Sequence, residues 1–142
     1  MKEGSRMADR KKILVADDEP QLALAVQIRL QSRGYQVVTA TNGRQALELI
    51  AKERPDLVLL DVLMPVMDGY FTLRELNQRF GRGTIPVIVL TARDRMKELF
   101  ELEGIEDYLV KPFDHDDLLV RIERVLRRRE AVSSPPPGAA AS

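Results

Sequence analysis

The chain has 142 residues, which is typical of a single domain and is long enough to bury a core without disulfides. Lys plus Arg and Asp plus Glu each total 22, so the near-zero net charge exerts no general attraction on nucleic acid or on an anionic membrane. The absence of cysteine and the presence of one histidine, His115, exclude disulfides, thiolate metal sites and a histidine-rich zinc site.

Short apolar runs alternate five times with segments of helical periodicity. Residues 1–10 come first; they lack the apolar segment of a secretory signal, and we expect them to be a flexible N-terminus. Strands are then predicted at KILVA (12–16), YQVVTA (35–40), DLVLL (56–60), IPVIVL (85–90) and EDYLV (106–110). Apolar residues at helical spacing predict helices from 22 to the stop signal at Gly34, over 44–54, 70–80 and 95–103, and through a final stripe over 118–126.

This alternation predicts an α/β fold, in which a parallel sheet carries helices on both faces. The nearly continuous apolar runs of the third and fourth strands fit a sheet that is buried on both sides. Residues 131–142, AVSSPPPGAAAS, cannot form a core, so we expect the folded domain to span 11–130 and the rest to be a flexible tail or linker. No run approaches the roughly 18 apolar residues of a membrane span. We therefore expect a cytoplasmic globular domain.

Polar side chains stand at the C-terminal ends of four of the predicted strands. Asp17 and Asp18 follow the first strand, and Asp61 follows the third. Thr91 follows the fourth strand, and Lys111 follows the fifth. Ligands of open parallel sheets bind outside the carboxyl ends of the strands, so we expect these five residues to share one pocket.

The chemistry of that pocket follows from its residue types. Three neighbouring carboxylates repel one another unless a cation lies among them, and oxygen ligands completed by water suit Mg²⁺. The hydroxyl of Thr91 and the ammonium of Lys111 complement the spread oxygen charge of a phosphoryl group. Asp61 is then the predicted nucleophile, since carboxylates form acyl phosphates. Taken singly, each residue could be an ordinary helix cap or turn residue, but five together at four strand ends are harder to explain in that way.

Four segments in this order and spacing resemble the receiver domains of two-component response regulators. They are ILVADDEP (13–20), LVLLDVLMPVMDG (57–69), IPVIVLTA (85–92) and DYLVKPF (107–113), and the resemblance covers residues 11–129. It implies a three-layer, doubly wound, flavodoxin-like fold with a five-stranded parallel sheet in the order 2-1-3-4-5. It also implies a phosphorylatable switch, whose partner is a sensor histidine kinase and which has no metabolic substrate.

The resemblance assigns a role to each residue that would meet the phosphoryl group. Asp61 would accept it, and Thr91 and Lys111 would bind its oxygens. Tyr108 would be the aromatic switch residue, turning inward as Thr91 moves toward the phosphoryl group and so changing the surface of helix 4, strand 5 and helix 5. The peptide bond between Lys111 and Pro112 would be cis.

The resemblance also implies a set of Mg²⁺ ligands. The side chains of Asp18 and Asp61 would bind the ion directly, together with the backbone carbonyl of Leu63. Asp17 would act largely through water. The only cofactor expected is therefore Mg²⁺.

The last helix resembles that of receivers attached to winged-helix DNA-binding domains. In those proteins, charged residues of helix 4, strand 5 and helix 5 pair across a two-fold axis, and by position Asp107 and Arg121 are the candidate intersubunit pair. Thr91 and Lys111 lie closer together in this sequence than is common in receivers. We therefore expect the connection between strand 4 and helix 4 to be shortened.

Other functions can be weighed from the same residues. A phosphohydrolase with an Asp nucleophile places a second Asp two residues later, and Leu63 occupies that position here. An interaction module that is never phosphorylated would not need Asp18, Asp61, Thr91 and Lys111 together. The chain is either a stand-alone regulator or the receiver of a longer DNA-binding regulator, and we expect no direct contact with nucleic acid from these residues.

Overall fold

The computed structural model describes residues 10–62, 68–91 and 97–133. Its five parallel strands form one sheet in the spatial order β2-β1-β3-β4-β5, as the resemblance implies. The strands are β1 (Lys12–Ala16), β2 (Gln36–Ala40), β3 (Leu57–Asp61), β4 (Val87–Thr91) and β5 (Asp107–Val110). The helices are α1 (Pro20–Ser32), α2 (Gly43–Glu53), α3 (Gly69–Phe80), α4 (Lys97–Leu102) and α5 (His115–Ser133).

The sheet separates two hydrophobic clusters, one on each face. Alternate residues of a strand point to opposite faces, so Leu14 of β1 joins one cluster while Ile13 joins the other. The Leu14 cluster contains buried side chains of α2, α3 and α4, including Phe100. The Ile13 cluster contains the buried stripes of α1 and α5, including Ile122. The three-layer, doubly wound architecture is therefore confirmed.

The central strands β3 and β4 are buried along their whole lengths. Helices cover both of their faces, and each fully buried Leu, Ile or Val side chain contributes about 1.5–3 kcal/mol. The predicted runs stop at Leu60 and Leu90, whereas the strands include one further polar residue each, Asp61 and Thr91. Both functional candidates are therefore fixed by a hydrogen-bonded strand rather than by a loop.

Local signals in the sequence explain where several helices begin and end. The side chains of Asn42 and Asp68 accept hydrogen bonds from Gln45 N and Phe71 N, and so cap the N-termini of α2 and α3. Pro20 occupies the first turn of α1, where its missing N–H removes no helical hydrogen bond. These three helix N-termini lie at the edge of the sheet where the strands end.

The helices differ from the predicted ranges mainly at the end of the domain. Helix α5 includes residues 131–133, which the sequence analysis assigns to the tail. Within the described residues, helix α4 spans Lys97 to Leu102. Leu63, residues 1–9 and residues 134–142 lie outside the described part of the chain. Within 10–62, 68–91 and 97–133, no helix has the length and apolar character needed to cross a membrane.

Candidate functional site

Asp61 lies at the carboxyl end of β3, between β1 and β4. Its backbone pairs in register with Leu90, and the residue is 4% exposed. The start of α3 packs directly against this strand end: Gly69 N donates to Val62 O at 2.8 Å. A Cβ at Gly69 would lie 2.5 Å from the backbone oxygen of Asp61, so only glycine fits here without displacing the strand. The helix thus supports the backbone that carries the Asp61 carboxylate.

Asp17 follows β1 and is the second buried acid of the site. Its backbone N–H continues the ladder to β2 by donating to Ala40 O at 3.0 Å. One carboxylate oxygen, Oδ1, accepts from Glu19 N at 2.9 Å. The other, Oδ2, is left to face Lys111. The turn between β1 and α1 therefore fixes the orientation of the Asp17 carboxylate.

Three carboxylates meet at the strand ends, and the set differs from the one derived from sequence. Oxygens of Asp17, Glu19 and Asp61 all lie within 4.8 Å of one another. Asp18 is exposed and is not part of this group. The sequence analysis did not select Glu19, although it belongs to the acidic run Asp17-Asp18-Glu19. The sequence does not show which of these carboxylates the turn brings close to Lys111.

Lys111 brings its ammonium into the centre of these carboxylates. Nζ lies 3.0 Å from Asp17 Oδ2, 3.0 Å from Glu19 Oε1 and 3.3 Å from Asp61 Oδ2. Burial acts to lower the pKa of Lys111, but the contacts with the acids outweigh it, so the pKa lies above the ordinary 10.5. The ammonium is therefore protonated at neutral pH. The backbone N–H of Lys111 donates to Thr91 O at 2.6 Å, and the Lys111–Pro112 peptide bond is cis, as expected.

Thr91 and Tyr108 lie on the same face of the sheet. Tyr108 pairs in register with Val89, two residues before Thr91, and residues two apart on a strand share a face. Thr91 is fully buried, and Tyr108 is 9% exposed, with its ring centroid 6.1 Å from that of Phe100. Tyr108 is thus a buried residue on the face of the sheet that also carries Thr91.

The two candidate dimer residues contact each other within one chain. Arg121 Nη1 donates to Asp107 Oδ1 at 2.8 Å, and Arg121 Nε donates to Asp117 at 3.1 Å. The hydrogen bond with Asp107 is the main reason why the pKa of Arg121 is raised. The two residues predicted to pair between subunits therefore form an ion pair within one chain.

A cavity of about 930 Å³ adjoins the carboxylates. Its polar lining includes Asp18, Glu19 and Lys111, and its apolar lining consists of Pro20, Leu22, Pro112 and Phe113. Because the cavity shares Glu19 and Lys111 with the site, a bound molecule could present a reactive group to Asp61 from this side.

The donor set fits a hard divalent cation. Carboxylate oxygens are the ligands that Mg²⁺ prefers, and three acids around one ammonium leave an excess of negative charge. Asp17, Glu19 and Asp61 could contribute oxygens to such an ion, directly or through water, and exposed Asp18 lies next to them. The same site offers the ammonium of Lys111 for an anion, and the buried Thr91 ends the neighbouring strand β4.

Comparison with known proteins matches the part of the chain that contains the sheet and the candidate site. The family model for the response regulator receiver domain matches residues 13–123. The "Probable transcriptional regulator ycf27" of Porphyra purpurea is 42% identical over 127 residues, which cover 88% of this chain and 51% of that protein. The chain thus spans about half the length of such relatives.

Solved structures with the same fold include two response regulator chains that are matched over almost their whole length. The receiver domain of the Francisella response regulator 1452 has a TM-score of 0.79 and 33% identity, covering 84% of this chain and 99% of that chain. The response regulator TrrA from Thermotoga maritima, in complex with Mg²⁺-BeF, has a TM-score of 0.73 and 32% identity, covering 80% of this chain and 97% of that chain.

Proposed function

The chain belongs to the response regulator receiver domain family, and from this membership we propose that Asp61 is the residue phosphorylated in two-component signalling. The family is regulatory rather than catalytic. The observation that carries the proposal is the position of Asp61, a buried carboxylate at a strand end with an ammonium 3.3 Å from its Oδ2. Chemistry performed by the domain would then be limited to its own phosphorylation and dephosphorylation.

Phosphorylation would proceed by attack of an Asp61 carboxylate oxygen on phosphorus. A new O–P bond forms while the bond from phosphorus to the donor's leaving group breaks, and the leaving group departs with that electron pair. Lys111 would neutralise part of the charge on the phosphoryl oxygens, and the Thr91 hydroxyl would donate to one of them. The raised pKa of Lys111 supports this role because the ammonium is charged at neutral pH.

Mg²⁺ is the cofactor that the proposal requires. We assign Asp18 and Asp61 to direct contact, with the backbone carbonyl of Leu63, and Asp17 to contact through water. When bound, the ion would neutralise the developing oxygen charge during transfer. A Mg²⁺ site at this position is supported by Asp17 and Asp61, which belong to the three carboxylates with oxygens within 4.8 Å of one another, and by the Mg²⁺-BeF complex of TrrA. Asp17 would also orient Lys111 through its Oδ2.

The signal would leave the site through Thr91 and Tyr108. Movement of the Thr91 hydroxyl toward a phosphoryl group would alter the packing on the sheet face that it shares with Tyr108. That face also holds Phe100 of α4, so a change there reaches the surface formed by α4, β5 and α5. A phosphoryl group that interacts differently with two such arrangements shifts their populations.

The partners proposed are a sensor histidine kinase as phosphodonor and a second copy of the chain. The named relative is a transcriptional regulator of about twice the matched length, which favours a receiver that works with a DNA-binding region. A stand-alone regulator is the second candidate. In either case the α4-β5-α5 surface would be the element that changes partner binding.

The test is labelling with a small phosphodonor. We expect acetyl phosphate to add one phosphoryl group to the protein only when Mg²⁺ is present, as measured by intact-protein mass spectrometry. Asp61→Asn should abolish the labelling, whereas Asp56→Asn should retain it. Asp56 is an exposed acid at the start of β3 whose side chain accepts from Lys12 N, so it lies at the opposite end of the strand. Labelling of Asp61→Asn at the wild-type rate would remove Asp61 from the nucleophile role.

A further inference from the structure

Glu19 contacts Asp17 and Lys111 in the candidate site, but the proposed function assigns no role to it. Its backbone N–H donates to Asp17 Oδ1 at 2.9 Å, and its side-chain Oε1 accepts from Lys111 Nζ at 3.0 Å. It is also the N-cap residue of α1, yet its side chain makes no capping hydrogen bond. The side chain therefore contacts the ammonium of Lys111 rather than the helix that it precedes.

The three carboxylates match the full donor capacity of Lys111. A lysine ammonium has three N–H donors, and three carboxylates lie within 3.3 Å of Nζ. A phosphoryl oxygen on Asp61 can receive a hydrogen bond from Lys111 only if one of these contacts is given up. The contacts to Asp17 and Glu19, both at 3.0 Å, are shorter than the contact to Asp61.

Of the two shorter contacts, the one to Glu19 can break at the lower cost. The side chain of Asp17 is only 3% exposed, so loss of its cation would leave a charge in a site that water barely reaches. The side chain of Glu19 is 61% exposed, and water can replace the ammonium around it. Release of Lys111 from Glu19 therefore leaves no buried charge without a partner.

We propose that Glu19 is a positioning residue: its carboxylate holds the Lys111 ammonium on the β1–α1 side of the pocket before phosphorylation and releases it to the phosphoryl group on Asp61. The inference rests on the phosphorylation of Asp61 proposed above. Glu19 also lines the cavity beside the site, so its charge opposes an arriving anion while favouring a cation. Its effects on a phosphoryl group and on Mg²⁺ should therefore have opposite signs.

The experiment compares Glu19→Gln with the wild-type chain and with Glu53→Gln. Glu53 is a matched control, because it also accepts a hydrogen bond from a lysine, Lys12, at 2.8 Å but belongs to a different lysine–carboxylate pair, at the end of α2. Three quantities are measured: the affinity for Mg²⁺ alone, the affinity for beryllofluoride at saturating Mg²⁺, and the rate of labelling by acetyl phosphate. Beryllofluoride serves as an equilibrium mimic of the phosphoryl group.

We expect Glu19→Gln to bind beryllofluoride roughly two- to fivefold more tightly and to be labelled faster by a similar factor, the range that corresponds to an exposed ion pair. Its affinity for Mg²⁺ alone should fall. Glu53→Gln should change none of the three quantities. A merely structural role for Glu19 would weaken all three together, so an increase in beryllofluoride affinity excludes a merely structural role.

A second variant separates the contact from the charge. Glu19→Asp keeps the negative charge but shortens the side chain by one methylene, so it cannot hold Lys111 at the same place. The positioning role predicts tighter beryllofluoride binding in this variant as well. The inference would be overturned if Glu19→Asp bound beryllofluoride with wild-type affinity, or if Glu19→Gln bound it no more tightly than the wild-type chain. The proposed function would remain intact in either case, provided that acetyl phosphate labels the wild-type chain. Failure of the wild-type chain to label would overturn both.

Discussion

Arg121 donates a hydrogen bond to Asp107 at 2.8 Å within the same chain, from the middle of α5 to the start of β5. The sequence analysis predicts that these two residues are partners across a dimer interface. An ion pair that is already formed inside the chain can stabilise a dimer only if the same charges exchange partners or lie close enough to a second copy to be shared. Two single variants can distinguish a pair within one chain from a pair between two subunits.

We predict that Arg121→Asp and Asp107→Arg each weaken the dimer formed in the presence of Mg²⁺ and beryllofluoride, because each places like charges opposite one another. In a mixture of the two variants, both intersubunit pairs of the mixed dimer are again of opposite charge, whereas each intrachain pair remains repulsive. Recovery of dimers in the mixture, measured by analytical ultracentrifugation, supports the intersubunit pairing. Two variants that stay monomeric after mixing would assign the pair to the single chain.

A second prediction concerns the pH dependence of stability at the opposite end of the sheet. Lys12 Nζ donates to Glu53 Oε1 at 2.8 Å, and this contact holds the pKa of Glu53 below its ordinary 4.5. A carboxylate with a lowered folded-state pKa stabilises the protein above its unfolded-state pKa, and this stabilisation disappears as the pH falls through the folded-state value.

Glu53→Gln should therefore be less stable than the wild-type chain at neutral pH. The difference should shrink below pH 4.5, as the wild-type carboxyl group becomes protonated. Urea unfolding of both proteins across the acidic range measures this difference. A difference that stays constant through the acidic range would show that the Lys12–Glu53 contact does not contribute through ionisation.

The fold could be predicted from the sequence because apolar runs and apolar stripes at helical spacing indicate which segments are buried. Strands β3 and β4 were located within two residues at each end, and the missed terminal residues, Asp61 and Thr91, are polar, so that hydropathy alone gives no reason to extend a strand over them. The role of Glu19 was not predictable in this way. It depends on a turn that hydrogen-bonds Asp17 to Glu19 N and on a lysine 92 positions later in the chain.

A third prediction separates Asp17 from Asp18 in Mg²⁺ binding. The resemblance assigns direct contact to Asp18, whereas this structure places Asp17 among the grouped carboxylates and Asp18 on the exposed wall of the cavity. We expect both Asp17→Asn and Asp18→Asn to weaken Mg²⁺ binding, by about 10- to 100-fold for the residue that acts through water, and by more for the direct ligand.

We expect the larger loss for Asp18→Asn. Thermal unfolding with increasing Mg²⁺ provides the measurement, since an ion present at tenfold its dissociation constant stabilises the folded chain by about 1.4 kcal/mol. Asp56→Asn, whose acid lies at the other end of β3, should leave the Mg²⁺ dependence unchanged. A larger loss for Asp17→Asn would assign the direct contact to the buried carboxylate instead.

A final prediction concerns Gly69, which allows α3 to start against the strand that carries the phosphoacceptor. A Cβ here would lie 2.5 Å from Asp61 O and 2.7 Å from Val62 Cα, so Gly69→Ala must push the strand end and the helix apart. We expect a loss of about 1–3 kcal/mol in unfolding free energy from overpacking. The rate of labelling by acetyl phosphate should fall further, up to about 100-fold, because the Asp61 carboxylate is displaced from Lys111.

Gly34→Ala separates this displacement from general destabilisation. Gly34 has a φ of +93° and no atom within 4 Å of a Cβ, so alanine there strains the backbone without touching the site. We expect Gly34→Ala to melt at a lower temperature but to be labelled at the wild-type rate below its melting range. If Gly69→Ala were also labelled at the wild-type rate while folded, the close packing of α3 on β3 would have no role in placing the Asp61 carboxylate, and the glycine would serve the fold alone.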